Sequence, residues 1–186
     1  MKLPLPKRIE TLGSITQIAY VPKDFDAALR FWTERVGVGP FFCVEHVPVE
    51  ETIYRGLPTR VDISLAVSQW GDVQIELIRQ NDRAASIYRD WNSDTMHHIQ
   101  VAVPDYAAAA KLCEERGFPL AMECRGAPGA PDFRVGFFDL GDCAPAGFLE
   151  LAYFPDPGGW RAMVERIKCQ VSSWDGQEPV RPFDKL

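Results

Sequence analysis

Four polar side chains, three of them of acid–base type and one an amide, stand at matched places along the 186-residue chain: Gln17 and Glu76 in the first half, His98 and Glu150 in the second. Gln17 lies in the strand-like run Thr16-Gln17-Ile18-Ala19-Tyr20-Val21, and Asp24 follows it seven residues on. His98 begins His98-Ile99-Gln100-Val101-Ala102-Val103, and Asp105 again follows after seven. Each aspartate precedes an aromatic residue (Phe25, Tyr106) and an alanine pair (Ala27-Ala28, Ala108-Ala109). Ile75-Glu76-Leu77 and Leu149-Glu150-Leu151 match in the same way, so the chain carries an internal repeat. In a strand, neighbouring side chains point to opposite faces, and each glutamate therefore faces away from its flanking aliphatics. If the aliphatic face lies under a helix, the two carboxylates occupy the other, concave face, and pseudo-symmetry brings all four residues toward one cavity. Imidazole and carboxylate groups so placed can take up and deliver protons. Taken singly, a strand glutamate is ordinarily solvent-facing and a strand histidine is a hydrogen-bonded core residue. Four at equivalent repeat positions read differently. His97 faces away from His98 by alternation and is assigned a supporting role, and His46, which has no matching partner, a structural one.

The elements that must position these residues follow from patterning. Residues 1–14, with Pro4 and Pro6, read as an extended arm. Strand 15–21 leads into a helix capped by Asp24, whose Phe25, Ala28, Leu29 and Trp32 form an apolar stripe. Gly37-Val38-Gly39-Pro40 stops that helix, and a strand follows over 41–47. Residues 49–59 read as a polar loop. Alternation over 61–68 and 73–78 gives an antiparallel hairpin, so residues 15–80 form a first βαβββ module. Residues 81–96 read as a linker with a short helical turn. Residues 97–154 repeat the order as a second βαβββ module, in which Gly126, Pro128, Gly129 and Pro131 predict a loop over 125–131. A helix over 160–169 and a tail close the chain as a segment 155–186. The fold class is α+β, with helices expected on the convex side of a curved mixed sheet.

Composition narrows the functional classes. Hydrophobic residues at 46% and charged residues at 25% are ordinary for a globular chain. The net charge of −6 disfavours nucleic acid and anionic membrane as partners, both of which call for a basic patch. No apolar run reaches the roughly 20 residues of a membrane span, and the first residues lack the apolar core of a secretory signal, so a cytoplasmic protein is expected. Cys43, Cys113, Cys124, Cys143 and Cys169 are odd in number and scattered, which argues against disulfides and a structural zinc cluster.

With these motifs in place, the chain resembles the vicinal oxygen chelate superfamily, which includes glyoxalase I, methylmalonyl-CoA epimerase, extradiol dioxygenases and bleomycin-resistance binding proteins. The resemblance rests on Ile15-Thr16-Gln17-Ile18-Ala19, the run from Asp24 to Trp32, Gly37-Val38-Gly39-Pro40, Ile75-Glu76-Leu77-Ile78, His97-His98-Ile99 and Leu149-Glu150-Leu151. It implies a sheet cupped around a divalent metal ion (zinc, nickel, cobalt or manganese), with Gln17, Glu76, His98 and Glu150 as ligands. One imidazole nitrogen with three oxygens suits such an ion with open water positions. It also implies a lyase or isomerase that moves a proton next to a carbonyl through a metal-stabilised enolate. Glu150 is then the first choice of base and Glu76 the alternative, the substrate is a small carbonyl compound, and the chain forms a homodimer. An extradiol dioxygenase would need a histidine where Gln17 stands. The rival reading is a non-catalytic small-molecule binder using the same cup. Gln-Glu-His-Glu is similar to one group of glyoxalase I enzymes, whereas His97-His98 and Tyr88-Arg89-Asp90 look like the epimerase branch. Val21 and Gln80 stand where glyoxalase I has the arginine and asparagine that bind glutathione, and no tight basic cluster offers a coenzyme A phosphate site. Phe41, Phe42, Trp70, Phe137 and Phe138 are candidates to line the cup.

Overall fold

A computed structural model describes residues 8–47, 50–92, 95–127, 129–142 and 144–186. Half of the expected N-terminal arm (1–7), Val49, Pro128 and Cys143 lie outside the described residues. The elements in order are β1 (Ile15–Tyr20), α1 (Phe25–Arg30), β2 (Phe41–Val44), β3 (Glu51–Tyr54), β4 (Leu57–Thr59), β5 (Ile63–Trp70) and β6 (Val73–Gln80). They continue with β7 (Met96–Ala102), α2 (Tyr106–Glu115), β8 (Leu120–Ala127), β9 (Ala130–Asp139), β10 (Ala146–Tyr153), α3 (Pro157–Ser172) and β11 (Val180–Pro182). Eleven strands form one mixed sheet in the order β11-β2-β5-β6-β1-β7-β10-β9-β8-β3-β4.

The repeat read from the sequence is visible in backbone detail. Asp24 and Asp105 both sit in extended conformation ahead of their helices and accept a hydrogen bond from the amide three residues on, Ala27 N at 2.8 Å and Ala108 N at 3.0 Å. Each satisfies one of the orphan donors of its helix N-terminus. After Arg30 the first helix widens into a π-type turn over Phe31–Val36, and Gly37 ends it at φ +81°, a conformation that a Cβ would disfavour. Phe25, Ala28, Leu29 and Trp32 cover Ile75 and Leu77. In the second half Tyr106, Ala109 and Cys113 cover Leu149, Leu151 and Phe138. The aliphatic residues flanking both glutamates therefore lie under helices, which leaves the glutamates on the opposite face.

Chain length forces the sheet to curl. Strands β2 and β3 are separated by only the residues between Val44 and Glu51, a reach of at most about 25 Å. They nevertheless stand eight positions apart in the sheet, about 38 Å if it were flat. The ends must approach each other, and the inner face becomes a cup.

Several expectations need correction. The segment expected as a loop over 49–59 contains the hairpin β3–β4, whose Arg55 and Gly56 both have positive φ, as a tight two-residue turn requires. β3 pairs with β8, so a segment from the first half extends the sheet edge of the second, and Pro58 is tolerated because β4 is an edge strand. The Gly/Pro segment 125–131 belongs largely to strands: β8 runs through Gly126, at φ +70° beside a register shift, to Ala127, and pairs with Ala130 of β9. Residues 81–92 of the expected linker are not an open connection, since Ile87 and Tyr88 are buried inside the cup, while residues 93–94 lie outside the described residues. The tail contributes β11, parallel to β2. Most consequentially, α3 lies on the concave side: Ile167 packs on Phe42 and Val67, with Val171, Phe183 and Leu186 around it. Of the aromatic candidates for the cup only Phe137 lines it, Phe41 and Phe138 being in the convex core, Phe42 under α3, and Trp70 exposed. No described helix is long and apolar enough to cross a membrane.

Because Ile167 is fully buried between α3 and the sheet, Ile167→Ala is expected to cost about 2–5 kcal/mol, the usual range for such a truncation. Urea unfolding measures it. A cost below about 0.5 kcal/mol, the scale of an ordinary surface substitution, would show that α3 is not docked on the cup.

Candidate functional site

Inside the cup, two adjacent rows of side chains cross the sheet. One runs Gln69, Gln74, Gln17, Gln100, Glu150 from β5 through β6, β1 and β7 to β10, each the direct neighbour of the next. In the other, Glu76 of β6 and His98 of β7 are both partners of Ala19 on the strand between them. Ala19 is fully buried, and its single methyl leaves room for the carboxylate and the imidazole to meet over it. The sequence expectation placed Gln17, Glu76, His98 and Glu150 in one cavity, and all four line the same one, built from a single chain.

Their polar atoms converge on one nitrogen. His98 Nε2 lies 2.7 Å from Glu150 Oε2, 3.3 Å from Gln17 Oε1 and 3.4 Å from Glu76 Oε2. Solvent reaches almost none of this: exposures are 1% for His98, 5% for Gln17 and Glu150 and 8% for Glu76. Burial disfavours the charged imidazole, but Glu150 and then Glu76 outweigh it and push His98 up to about 9. Burial raises the Glu76 carboxyl, which His98 partly relieves and the charge of Glu150 raises further.

Two glutamines not picked out from the sequence complete the array. Gln100 donates through Nε2 to Gln17 Oε1 at 3.1 Å and to Glu150 Oε1 at 3.0 Å, and Gln17 Nε2 donates to Gln74 Oε1 at 2.6 Å. Period-two alternation was the available signal, since Gln74 stands two before Glu76 and Gln100 two after His98. The amide orientation of Gln17 is thereby set, with its oxygen toward His98.

His97 fixes the other side of the imidazole. Its Nδ1 is 2.9 Å from His98 Nδ1, and its Nε2 makes a long 3.5 Å contact to the carbonyl oxygen of Ile87. A carbonyl only accepts, so His97 carries its proton on Nε2 and takes the Nδ1–H of His98 on its own Nδ1. Burial, then the neighbouring His98 charge, holds His97 well below the usual imidazole range, so it stays neutral. Its ring is clamped by Tyr88, stacked at 5.3 Å, and by Trp91 edge-on at 5.1 Å. The adjacent side chains are therefore in contact, where simple alternation placed them on opposite faces. His46, by contrast, is exposed and hydrogen-bonded to Asp62 at 2.9 Å, away from the site. Gln80 is likewise structural, bonded to Asp82, Ala84 and Ser86.

Among the described residues no three His, Cys, Asp or Glu side chains are preset at coordination distances from a common point. The donors instead hydrogen-bond to one another, and an ion would take the place of the proton between His98 Nε2 and Glu150. Chemically the set fits a divalent ion, with one imidazole nitrogen freed by its tautomer, two carboxylates and an amide oxygen turned inward.

The profile of the Glyoxalase/Bleomycin resistance protein/Dioxygenase superfamily matches residues 16–137. The chain belongs to this superfamily. Among solved structures, a variant of Streptomyces coelicolor methylmalonyl-CoA epimerase in complex with 2-nitronate-propionyl-CoA aligns over 77% of this chain and 96% of its own, at 19% identity and a TM-score of 0.50. A hypothetical protein from Bacillus halodurans aligns over 75% and 93%, at 14% identity and a TM-score of 0.50. Methylmalonyl-CoA epimerase from Mycobacterium tuberculosis aligns over 79% and 91%, at 18% identity and a TM-score of 0.48. Among curated protein sequences there is no significant match. At these identities the structural likenesses show the fold, and the superfamily holds both enzymes and binding proteins.

Replacing His97 by Phe keeps a ring against Tyr88 and Trp91 but strands the buried Nδ1–H of His98. That variant is expected to lose about 1–3 kcal/mol of stability in urea unfolding, the cost of a buried donor left unpaired. An unchanged midpoint would show that the two rings do not share a proton.

Proposed function

We propose that the chain is a divalent-metal-dependent lyase or isomerase of the glyoxalase type, moving a proton at a carbon next to a carbonyl. The observation that carries this reading is the convergence of Gln17, Glu76 and Glu150 within 3.4 Å of the single nitrogen His98 Nε2 at the base of the cup. Gln17, Glu76, His98 and Glu150 would hold the ion. When bound, it would supply Lewis acidity to a carbonyl compound with adjacent oxygens. Everything else falls to the side chains. Glu150 takes the α-proton: the C–H bond breaks, its electron pair moves toward the carbonyl oxygen, and the proton rests on the carboxylate until it returns to the same or the neighbouring carbon. Gln100, bonded to Oε1, keeps Glu150 aimed while Oε2 exchanges partners. Glu76 is the second carboxylate, on the other side of His98. Gln17 does not titrate, and His98 is held in one tautomer by His97, so neither competes for the transferred proton. The low-dielectric walls strengthen these interactions by excluding water.

Glu150→Gln retains an oxygen ligand and removes the base. Metal content measured by elemental analysis should persist, while solvent-deuterium exchange at the substrate α-carbon falls by about two to four orders of magnitude. Stripping the ion with a chelator should abolish exchange, and added nickel, cobalt, manganese or zinc should restore it. Near-normal exchange in metal-loaded Glu150→Gln would transfer the base role away from Glu150, and the same result in Glu76→Gln as well would end the mechanism. A purified chain that neither retains nor takes up an ion would favour the binding-protein reading.

A further inference from the structure

We propose that the molecule handled in this cup carries its adjacent oxygens on an apolar, ring-sized body roofed by α3, and is not a nucleotide-tailed thioester. The inference rests on the metal-centred reading and adds the substrate class to it. The cavity above His98 encloses about 500 Å³, in the range of sites for small organic ligands. Its walls are Leu65 and Ile78 on one side and Val135 and Phe137 on the other, and Trp160 and Met163 of α3 reach over it. Charged lining is confined to Glu76, His98 and Glu150 at the base and Asp156 at the start of α3, with no Lys or Arg among the described lining residues. Asp156 is already committed, accepting from Gly159 N at 2.9 Å as the cap of α3. A ligand entering this space therefore meets the imidazole, two carboxylates and amides at the base, apolar walls above them, and a single carboxylate, Asp156, at the roof.

Two consequences follow from that asymmetry. An aryl or branched alkyl group on the α-keto or α-hydroxy carbon exchanges water for aliphatic and aromatic walls, whereas a bare two-carbon unit leaves them uncovered. The phosphates of coenzyme A would find no cation in the lining and a carboxylate at the roof. The indole of Trp160 is moreover preset, stacked on Phe154 at 4.7 Å and 14°, so little side-chain entropy remains to be lost when a ring slides beneath it.

The test uses the full chain loaded with nickel, and three probes read by tryptophan fluorescence and calorimetry: phenylglyoxylate, glyoxylate and methylmalonyl-CoA. Phenylglyoxylate should bind at least about tenfold more tightly than glyoxylate, the scale expected from burying one ring face. Trp160→Ala and Met163→Ala should each shrink that ratio at least about threefold, a partial loss of the same buried area. Trp160→Phe should restore it, which shows that the roof still folds. Equal affinity for the two keto acids, or tighter binding of methylmalonyl-CoA than of phenylglyoxylate, would overturn the inference. Because phenylglyoxylate has no α-proton, the readout is independent of turnover. A chain that shows the ring preference without exchanging any substrate proton retains this inference and loses the catalytic one. A chain that exchanges the α-proton of methylmalonyl-CoA without ring preference does the reverse.

Discussion

The structure depends on holding one imidazole nitrogen among two carboxylates and an amide oxygen where water scarcely reaches. Removing charges from water is costly, and a buried pair survives only with good geometry and satisfied hydrogen bonds. Here the compensation is distributed. Glu150 receives His98 Nε2 at 2.7 Å and Gln100 Nε2 at 3.0 Å, Gln17 is turned by Gln74, and the far nitrogen of His98 is taken by a second, neutral histidine. A group of this kind contributes little to stability by itself, and a site is the better explanation for its being there.

Sheet geometry delivers the group. Glu76 and His98 approach only because Ala19, on the strand between them, is small, and Gln17 and Glu150 flank Gln100 in the neighbouring row. The same curl that joins β2 to β3 across a short span turns this face into a cup, and α3 then covers it by docking Ile167 on Phe42 and Val67. Outer helices, central sheet and inner helix thus form three layers, and the polar rows line the cavity between the sheet and α3.

The two halves of the fold were unequally legible. Periodicity and capping chemistry marked β1, α1, the β5–β6 hairpin, β7, α2 and β10, because each alternates cleanly or opens on an aspartate cap. The two-residue turn at Arg55-Gly56 was hidden by Pro58 and by polar neighbours, since partnership with β8, nearly seventy residues distant, and not local pattern makes β3 a strand. Gly126 read as a breaker because a bulge within a paired strand resembles a loop in one dimension. Which face α3 covers was invisible, as an amphipathic helix states that it has a partner without naming it. In the site, the repeat brought out Gln17, Glu76, His98 and Glu150, whereas Gln74 and Gln100 needed alternation to be extended one step along the same strands. The His97–His98 contact was beyond reach, because the rings that pack on His97, Tyr88 and Trp91, come from a segment whose packing local pattern does not reveal.

The central claim is that these four side chains of one chain bind a single divalent ion through one nitrogen and three protein oxygens. X-ray absorption on nickel-loaded protein tests it most directly. The account predicts one ion per chain with a single imidazole in its coordination sphere and oxygen at the remaining positions. Two imidazoles per ion, one ion per two chains, or no stoichiometric binding would contradict it.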